Sequence, residues 1–562
     1  MKDIIQGIKA IELIAVFLIC ISFFSGCLYG RQPENSEANA NSDVQVEKTV
    51  NAYSFSKDEM GWKKDAGKPI TFNYFIYDAS FSKKWNSVNA KYITEKTGVS
   101  LNFLAPSGNE TEKLNTMIAS GNLPDFVSIP VSNPGTKRLM DSGLVFALNK
   151  LAEQYDPFFE KVADPAVVRW WTQDDGNIYG YPNYATPPEA AKKLPYLISN
   201  TAFLVKKDIY EAIGKPDMRT PEGFLSALKT AEEKFPTVNG QHLIPFGCIE
   251  FTDKGSLSFD DYYLQNLLAI PWEKGGKYYD RYTDPEYIRW LKTLRKANEM
   301  GLISKEIFID NKSQIARKVV QGRYFSLLYD HSWIIDENRA LYEKDRNSVY
   351  ICIDAMFNSK LSEPTLTGAN INLGNLTMIP RTNKDPKRAI EFLNYWLSDE
   401  GQHDFFWGKE GVTFDYKNGK EEYKKELVDL RGSNPKMFGE KYGLSQYYNM
   451  LVKYPKAVNW GEVFLSPQLE CVNWSRMSKR FVFADEYQNL DPLPDSEEGQ
   501  INSKITDAWG VLLPKLILAG SDSEFDRLWN EFQQLKMKLG YEKLMAYKQK
   551  KMEENKRKLG IN

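Results

Sequence analysis

A chain of 562 residues is too long for a single hydrophobic core, so two large lobes are the default. Its 72 Lys and Arg are balanced by 74 Asp and Glu, interspersed to a net charge of −2, and no basic patch points to nucleic acid. The five cysteines form no CxxC, no even framework and no zinc spacing; beyond the amino-terminal region they read as buried free thiols. The histidines, His242, His331 and His403, are far apart in sequence. No phosphate-binding glycine loop and no GxSxG nucleophile turn is present, which disfavours an enzyme.

The chain opens with Lys2 and Lys9, then an apolar run free of charge from Leu13 to Gly26, fourteen residues. As a helix this run reaches about 21 Å, short of the roughly 30 Å hydrocarbon core of a bilayer. Basic start, short apolar run and small residues before Cys27 make signal-peptide anatomy over residues 1–26. "FFSGC" resembles a bacterial lipobox, with Phe24 where that pattern prefers Leu. The resemblance implies that Cys27 is lipidated and becomes the first mature residue; an uncleaved anchor is the alternative. The polar stretch "GRQPENSEANANSDVQVEK" buries too little apolar surface to offset its ordering entropy, so residues 27–67 are expected to be a flexible tether.

From Ile70 the chain alternates. "ITFNYFIY" predicts a strand. A helix stopped at Gly98 and a strand over Val99–Leu104 follow. The next helix carries Leu114, Met117 and Ile118, and is ended by Gly121 and Pro124. Asp125 to Ile129 is a third strand. This order predicts an α/β lobe with largely parallel strands, whose ligand loops lie beyond the carboxyl ends. Later, Thr220 is the N-cap of a helix with Pro221 at its first position, but Gly223 stands where a full capping box has Glu or Gln. "VVQGRYFSLLYDHSW" is a strand running into a polar, aromatic loop. "LGNLTMIPRTNKDPKRAIEFLNYWLSDEG" is a strand, a turn and an amphipathic helix with Ile390, Leu393 and Leu397 on one face. The last stripe runs Phe525, Leu528, Trp529, Phe532, Leu535.

Together, "EKTGVSLNF", "MIASGNLPDFVSI", "LMDSGLVFALNKLAEQYDP", "DDGNIYGYPNY", "FLVKKDIYEAIGKPDMRTPEGFLSALKTAEEKF", "YIRWLKTLRKANEMGLI" and "RAIEFLNYWLSDEGQHDFFWGKEGVTFDY" resemble, in family order, extracellular solute-binding lipoproteins of Gram-positive carbohydrate ABC transporters, in their large-bodied branch. The resemblance implies a helix-rich α/β fold of two lobes with a hinge, like a type II periplasmic binding protein. It places residues 68–190 and 365–410 in the first lobe, and 191–364 and 411–562 in the second. Crossings are expected near "YPNYATPPEAAKKLPYLISN", near "FNSKLSEPTLTGAN" and after "FFWGKEG". Many members carry a calcium loop after the helix matching "LKTAEEKF". Here "PTVNGQHLIP" contains no Asp or Glu, so the turn is expected without its metal, and no cofactor is implied.

A pyranose presents C–H faces to aromatic rings and hydroxyls to carboxylates and amides. Rings on loops beside polar residues are therefore the candidates. "YDHSW" supplies Tyr329, Asp330 and Trp333; in similar sugar receptors this loop carries a stacking Trp, and a Trp packed in the core is the alternative. Trp272 lies in a glycine-rich loop. Tyr179, Tyr181 and Trp171 (or Trp170) precede the first crossing, where hinge packing would use the same aromatics. Asp125 and Ser128 mark the first lobe's rim, and Trp407 and Glu410 the third crossing. Trp290, Trp396 and Trp529 fall on helix stripes and read as core.

The resemblance implies a monomeric receptor, lipid-anchored on the outer face of the cell membrane, that hands an oligosaccharide to ABC permease subunits. A secreted glycoside hydrolase needs two carboxylates flanking a bond, and composition leaves that open. A ligand sensor for a membrane kinase would use the same closure.

Overall fold

The computed structural model describes residues 60–561 except 80, 107, 195–198, 253, 256–262, 369, 373, 445, 448–449, 451–465 and 479. The signal peptide, Cys27 and the tether up to residue 59 lie outside the described residues. The tether expectation is corrected at its far end. Gly61–Asp65 is helical, and Trp62 is buried edge-on against Tyr395, with ring centroids 4.9 Å apart. An aromatic ring with a core to enter overrides the polar composition around it.

The first lobe begins with β1 (Ile70–Ile76), α1 (Val88–Thr97), β2 (Val99–Leu104), α2 (Glu110–Ser120) and β3 (Phe126–Pro130), and β4 (Tyr181–Pro182) comes later. Ser87 caps α1 through the Ala90 amide, and Gly98 ends it with φ of 72°, a conformation that costs glycine little. The second lobe follows with β5 (Thr201–Lys206), α3 (Pro221–Lys234), β6 (Ile244–Cys248), α4 (Leu264–Leu267), α5 (Pro285–Glu299), β7 (Tyr324–Asp330) and β8 (Tyr350–Ile353). Thr220 caps α3 by accepting from the Gly223 amide. The incomplete capping box has a steric cause: a Cβ at Gly223 would stand 2.0 Å from the Asp217 carbonyl oxygen. Between α3 and β6, Thr237–Val238 and Gln241–His242 form a hairpin closed by Asn239 and Gly240 at positive φ.

The chain then runs through β9 (Thr365–Thr367), β10 (Asn375–Met378), α6 (Pro386–Leu397) and α7 (Asp399–Trp407). It finishes with α8 (Gln468–Ser478), β11 (Arg480–Val482), α9 (Glu497–Leu518), α10 (Asp522–Leu539) and α11 (Tyr541–Leu559). The first sheet has the order β2-β1-β3-β10-β4; β1, β2 and β3 are parallel, and β10 is antiparallel to β3 and β4. The second has the order β8-β5-β7-β6, with only β6 and β7 parallel. β9 and β11 pair in parallel outside both sheets.

Among the described residues two large hydrophobic cores result, with a small third cluster of Leu427, Phe438 and Leu444 after α7. The first contains Phe72, Phe126, Tyr181, Ile371, Trp396 and Phe414, and the second contains Phe203, Phe246, Trp290, Leu366 and Phe525. The chain changes core between Tyr181 and Ala202 and again between Leu366 and Ile371. The lobe boundary after residue 410 is corrected. Phe414, Tyr447 and Met450 still belong to the first core, and the second is rejoined by Cys471. Phe414 packs against Trp407 at 5.9 Å, which holds the segment after α7 on the lobe it came from. At the other end, Leu559 of α11 packs on the first core, and Lys558 Nζ donates to the Trp170 carbonyl at 3.4 Å.

Helix α6 also departs from its expected one-sided character. Every residue from Arg388 to Leu397 is buried. Its polar members find partners inside: Arg388 donates to the Thr97 carbonyl at 3.0 Å, and Asn394 to that of Asp156 at 3.1 Å. Glu391, fully buried, stands 2.9 Å from Lys387, which also contacts Asp65. Burial pushes the Glu391 carboxyl from 4.5 up to about 7, against the opposing pull of Lys387. Because the folded pKa stands above the unfolded one, the folded protein keeps this proton longer. The contribution to stability is therefore full below the unfolded value and is lost as pH rises through about 7. We expect Glu391→Gln to flatten the fall in Tm between pH ~5 and ~8. An unchanged slope in a thermal-denaturation series would remove Glu391 as its source.

Candidate binding site at the second lobe

Strand β7 is buried along its whole length, and its carboxyl end delivers the chain to a tight turn at His331–Ile334. Asp330 holds that turn. Its Oδ1 accepts from the Ser332 amide at 2.8 Å and from the Ser332 hydroxyl at 2.5 Å, and its Oδ2 accepts from the Tyr263 hydroxyl at 3.3 Å. The His331 amide donates to the Asn200 carbonyl at 3.1 Å. The turn is thus tied to the start of β5 and to the residue before α4.

On this rigid turn stands Trp333, with 37% of its surface exposed. Tyr329, almost fully buried, meets its ring edge-to-face at 5.8 Å. Lys312 Nζ lies 3.9 Å from the Trp333 ring centroid, and the Lys312 amide donates to Glu250 at 2.7 Å. An exposed indole, an ammonium and a carboxylate therefore meet at the carboxyl ends of β6 and β7, where sheets of this kind carry ligands. Asp330 and Tyr329 support this corner from beneath, both nearly fully buried. Lys312 and Glu250 were not among the sequence candidates, because Glu250 follows β6 while Lys312 opens the helix Lys312–Val320 before β7, and only the folded chain brings them together near Trp333.

At the far end of α4 opens a cavity of about 590 Å³, bounded by Pro271, Trp272, Glu363, Phe483, Glu486 and Tyr487 among others. Trp272 stacks on Tyr487, with ring centroids 5.7 Å apart and planes 6° from parallel. The Arg281 guanidinium lies 3.9 Å from the same indole. Glu273 accepts from Tyr487 at 3.2 Å and pairs with Lys556 of α11 at 2.5 Å. Burial pushes the Glu486 carboxyl up from its usual range. The neighbouring Asp485 carboxyl is pushed up to about 7 by burial while accepting the Ile371 amide at 2.7 Å. The cavity thus adjoins the β9–β11 pair, where the chain passes between cores. Tyr487, Phe483 and Glu486 were missed from sequence. "RFVFADEY" has the aromatic-plus-acid loop signature that singled out "YDHSW", and the same criterion would have found it.

The remaining candidates do not join either feature. Asp125 lies before β3, at the amino end of the parallel strands, and is 5% exposed. Its carboxylate is occupied by the Asn73 amide at 2.7 Å and the Lys384 amide at 3.2 Å. Ser128 is fully buried 3.5 Å from the Thr377 hydroxyl, inside the sheet. Tyr181 is buried with its hydroxyl accepting the Asp164 amide, and Trp170 and Trp171 are in the first core. Trp407 packs there against Tyr423 at 4.6 Å. Tyr179 is half-buried and donates to Asp175 at 2.5 Å. Glu410 is exposed in the turn after α7. Asp125, Ser128, Tyr181, Trp171 and Trp407 are thus buried within the first lobe, away from both features.

The model of the family of bacterial extracellular solute-binding proteins matches residues 90–413, more than half of the chain. The chain belongs to that family. This solute-binding protein is 22% identical over 371 residues to the lipoprotein LipO of Bacillus subtilis, covering 64% of this chain and 69% of LipO. It is 25% identical over 251 residues to the fructooligosaccharide ABC transporter substrate-binding protein FusA of Streptococcus pneumoniae, covering 42% of this chain and 45% of FusA. The solved structure of FusA with kestose superposes with a TM-score of 0.61 at 17% identity, over 86% of this chain and 99% of that one. At that identity the likeness establishes the two-lobe fold. The family is one of binding proteins and not of enzymes. Among the described residues no helix is long and apolar enough to cross a membrane.

Proposed function

We propose that this solute-binding protein is a lipid-anchored receptor that captures an oligosaccharide between its lobes and delivers it to an ABC permease. The observation that carries the reading is Trp333: a large aromatic ring left 37% exposed on a turn otherwise fully tied down. A rigid, exposed ring beside a carboxylate and an ammonium is suited to a sugar face and its hydroxyls. The fructooligosaccharide named for FusA supports a carbohydrate ligand, and the lipoprotein LipO supports an anchored one. Trp272, Glu363 and Tyr487 at the cavity extend the proposed binding surface toward the hinge.

A thermal-shift screen against plant and bacterial oligosaccharides is expected to raise Tm for one class, by mass action. Release of shorter sugars from that class would sink the receptor reading in favour of a hydrolase. Trp272→Ala is expected to weaken binding about fivefold if the ligand reaches the cavity, since a ring contact there contributes roughly 1 kcal/mol. An equal response would confine the ligand to the Trp333 corner. The anchor has a separate test: mass spectrometry of the mature amino terminus should find acylated Cys27, and an intact Met1 would overturn it.

A further inference from the structure

Away from these features, two thiols that the sequence keeps far apart come together. Cys352 lies on β8, with Leu204 of β5 as its cross-strand partner. Cys471 lies in α8, the helix that packs on β8. Cys471 and Leu204 line one small cavity with His331 and Asn338. Both are free thiols in the structure, and Cys471 is close enough to raise the Cys352 thiol. Cys248 is on β6, at the opposite edge of the same sheet, with β5 and β7 between, about 14 Å away.

We propose that Cys352 and Cys471 are joined by a disulfide in the exported protein, stapling α8 to β8. The inference rests on the extracellular family assignment and not on the sugar reading. Outside the cell a disulfide, once formed, persists. Closure needs a disulfide oxidant. One cysteine thiolate attacks it, releasing a first thiol and leaving a mixed disulfide; the second cysteine displaces the other half. One S–S bond forms within the chain, the oxidant's S–S bond is broken, and the two cysteine protons leave on the two thiols released. Burial pushes the Cys352 thiol well up in the folded protein, so its thiolate is scarce there. Closure therefore belongs to the stage of folding at which α8 docks. The staple also steadies the candidate site, because α8 packs on the turn that carries Trp333. Trp474 of α8 donates to Asp354 at 2.9 Å, just beyond β8, in the same contact.

The test uses the full chain exported under its own leader, denatured without reductant, alkylated with iodoacetamide and digested. Mass spectrometry should find the Cys352 and Cys471 peptides as one linked species, two hydrogens lighter than their sum, and Cys248 alkylated. Reduction should separate the pair and lower Tm by roughly 5 °C. Recovery of Cys352 and Cys471 as separate alkylated peptides, or linkage of either to Cys248, overturns the proposal.

Discussion

Trp333→Ala is expected to cost this receptor about 30-fold in ligand affinity, roughly 2 kcal/mol, the size of a central aromatic contact. Its folding stability should move by less than about 1 kcal/mol, because the indole is 37% exposed and fills no core. Its neighbours Tyr329 and Lys312 are held independently, by β7 and by the Glu250 contact of the Lys312 amide. Calorimetric titration with the sugar class found in the thermal screen gives the first number, and urea denaturation of the unliganded protein gives the second. The two outcomes separate a binding role from a packing role. A large stability loss with unchanged affinity would assign Trp333 to the core and remove it from the site.

Trp290→Ala is expected to do the reverse. Trp290 is fully buried on α5, with Phe224 of α3 edge-on at 5.5 Å. Its indole N–H donates to the Phe357 carbonyl at 2.8 Å, where Arg289 also donates at 2.8 Å. The carbonyl would keep that second donor, so the loss is chiefly packing. Truncation should cost about 3–5 kcal/mol of stability. Affinity per folded molecule should be unchanged. Denaturation midpoints of Trp290→Ala and Trp290→Phe make the check: Phe should recover much of the loss, and a cost below about 1 kcal/mol for Ala would contradict the burial.

The contrast between these two tryptophans shows how far the residues could be read in advance. Trp290 recurs with Leu291 and Leu294 at helical spacing, and spacing alone assigned it to the core. The caps were equally legible, because Gly98, Thr220 and Gly121 act on backbone groups within a few residues of themselves. Asp125 misled for the same local reason. A carboxylate beside a strand resembles a rim residue until the chain supplies Asn73 and Lys384 amides from distant positions. Phe414, Tyr447 and Met450 stay with the first core for a reason their sequence does not show, such as the contact of Phe414 with Trp407.

The parallel α/β start of the first lobe, several helix ends and the family are properties of short windows and of their succession, and the amino-acid sequence alone carried them. The company each side chain keeps required the folded chain. Lys312 and Glu250 reach Trp333 through the pairing of β6 with β7; Tyr487 reaches Trp272 across more than two hundred positions; Cys352 reaches Cys471 when α8 docks on β8. Local structure follows from backbone sterics and periodicity, which act over a few residues. A binding surface or a thiol pair follows from long-range packing, in which sequence separation has no bearing on distance.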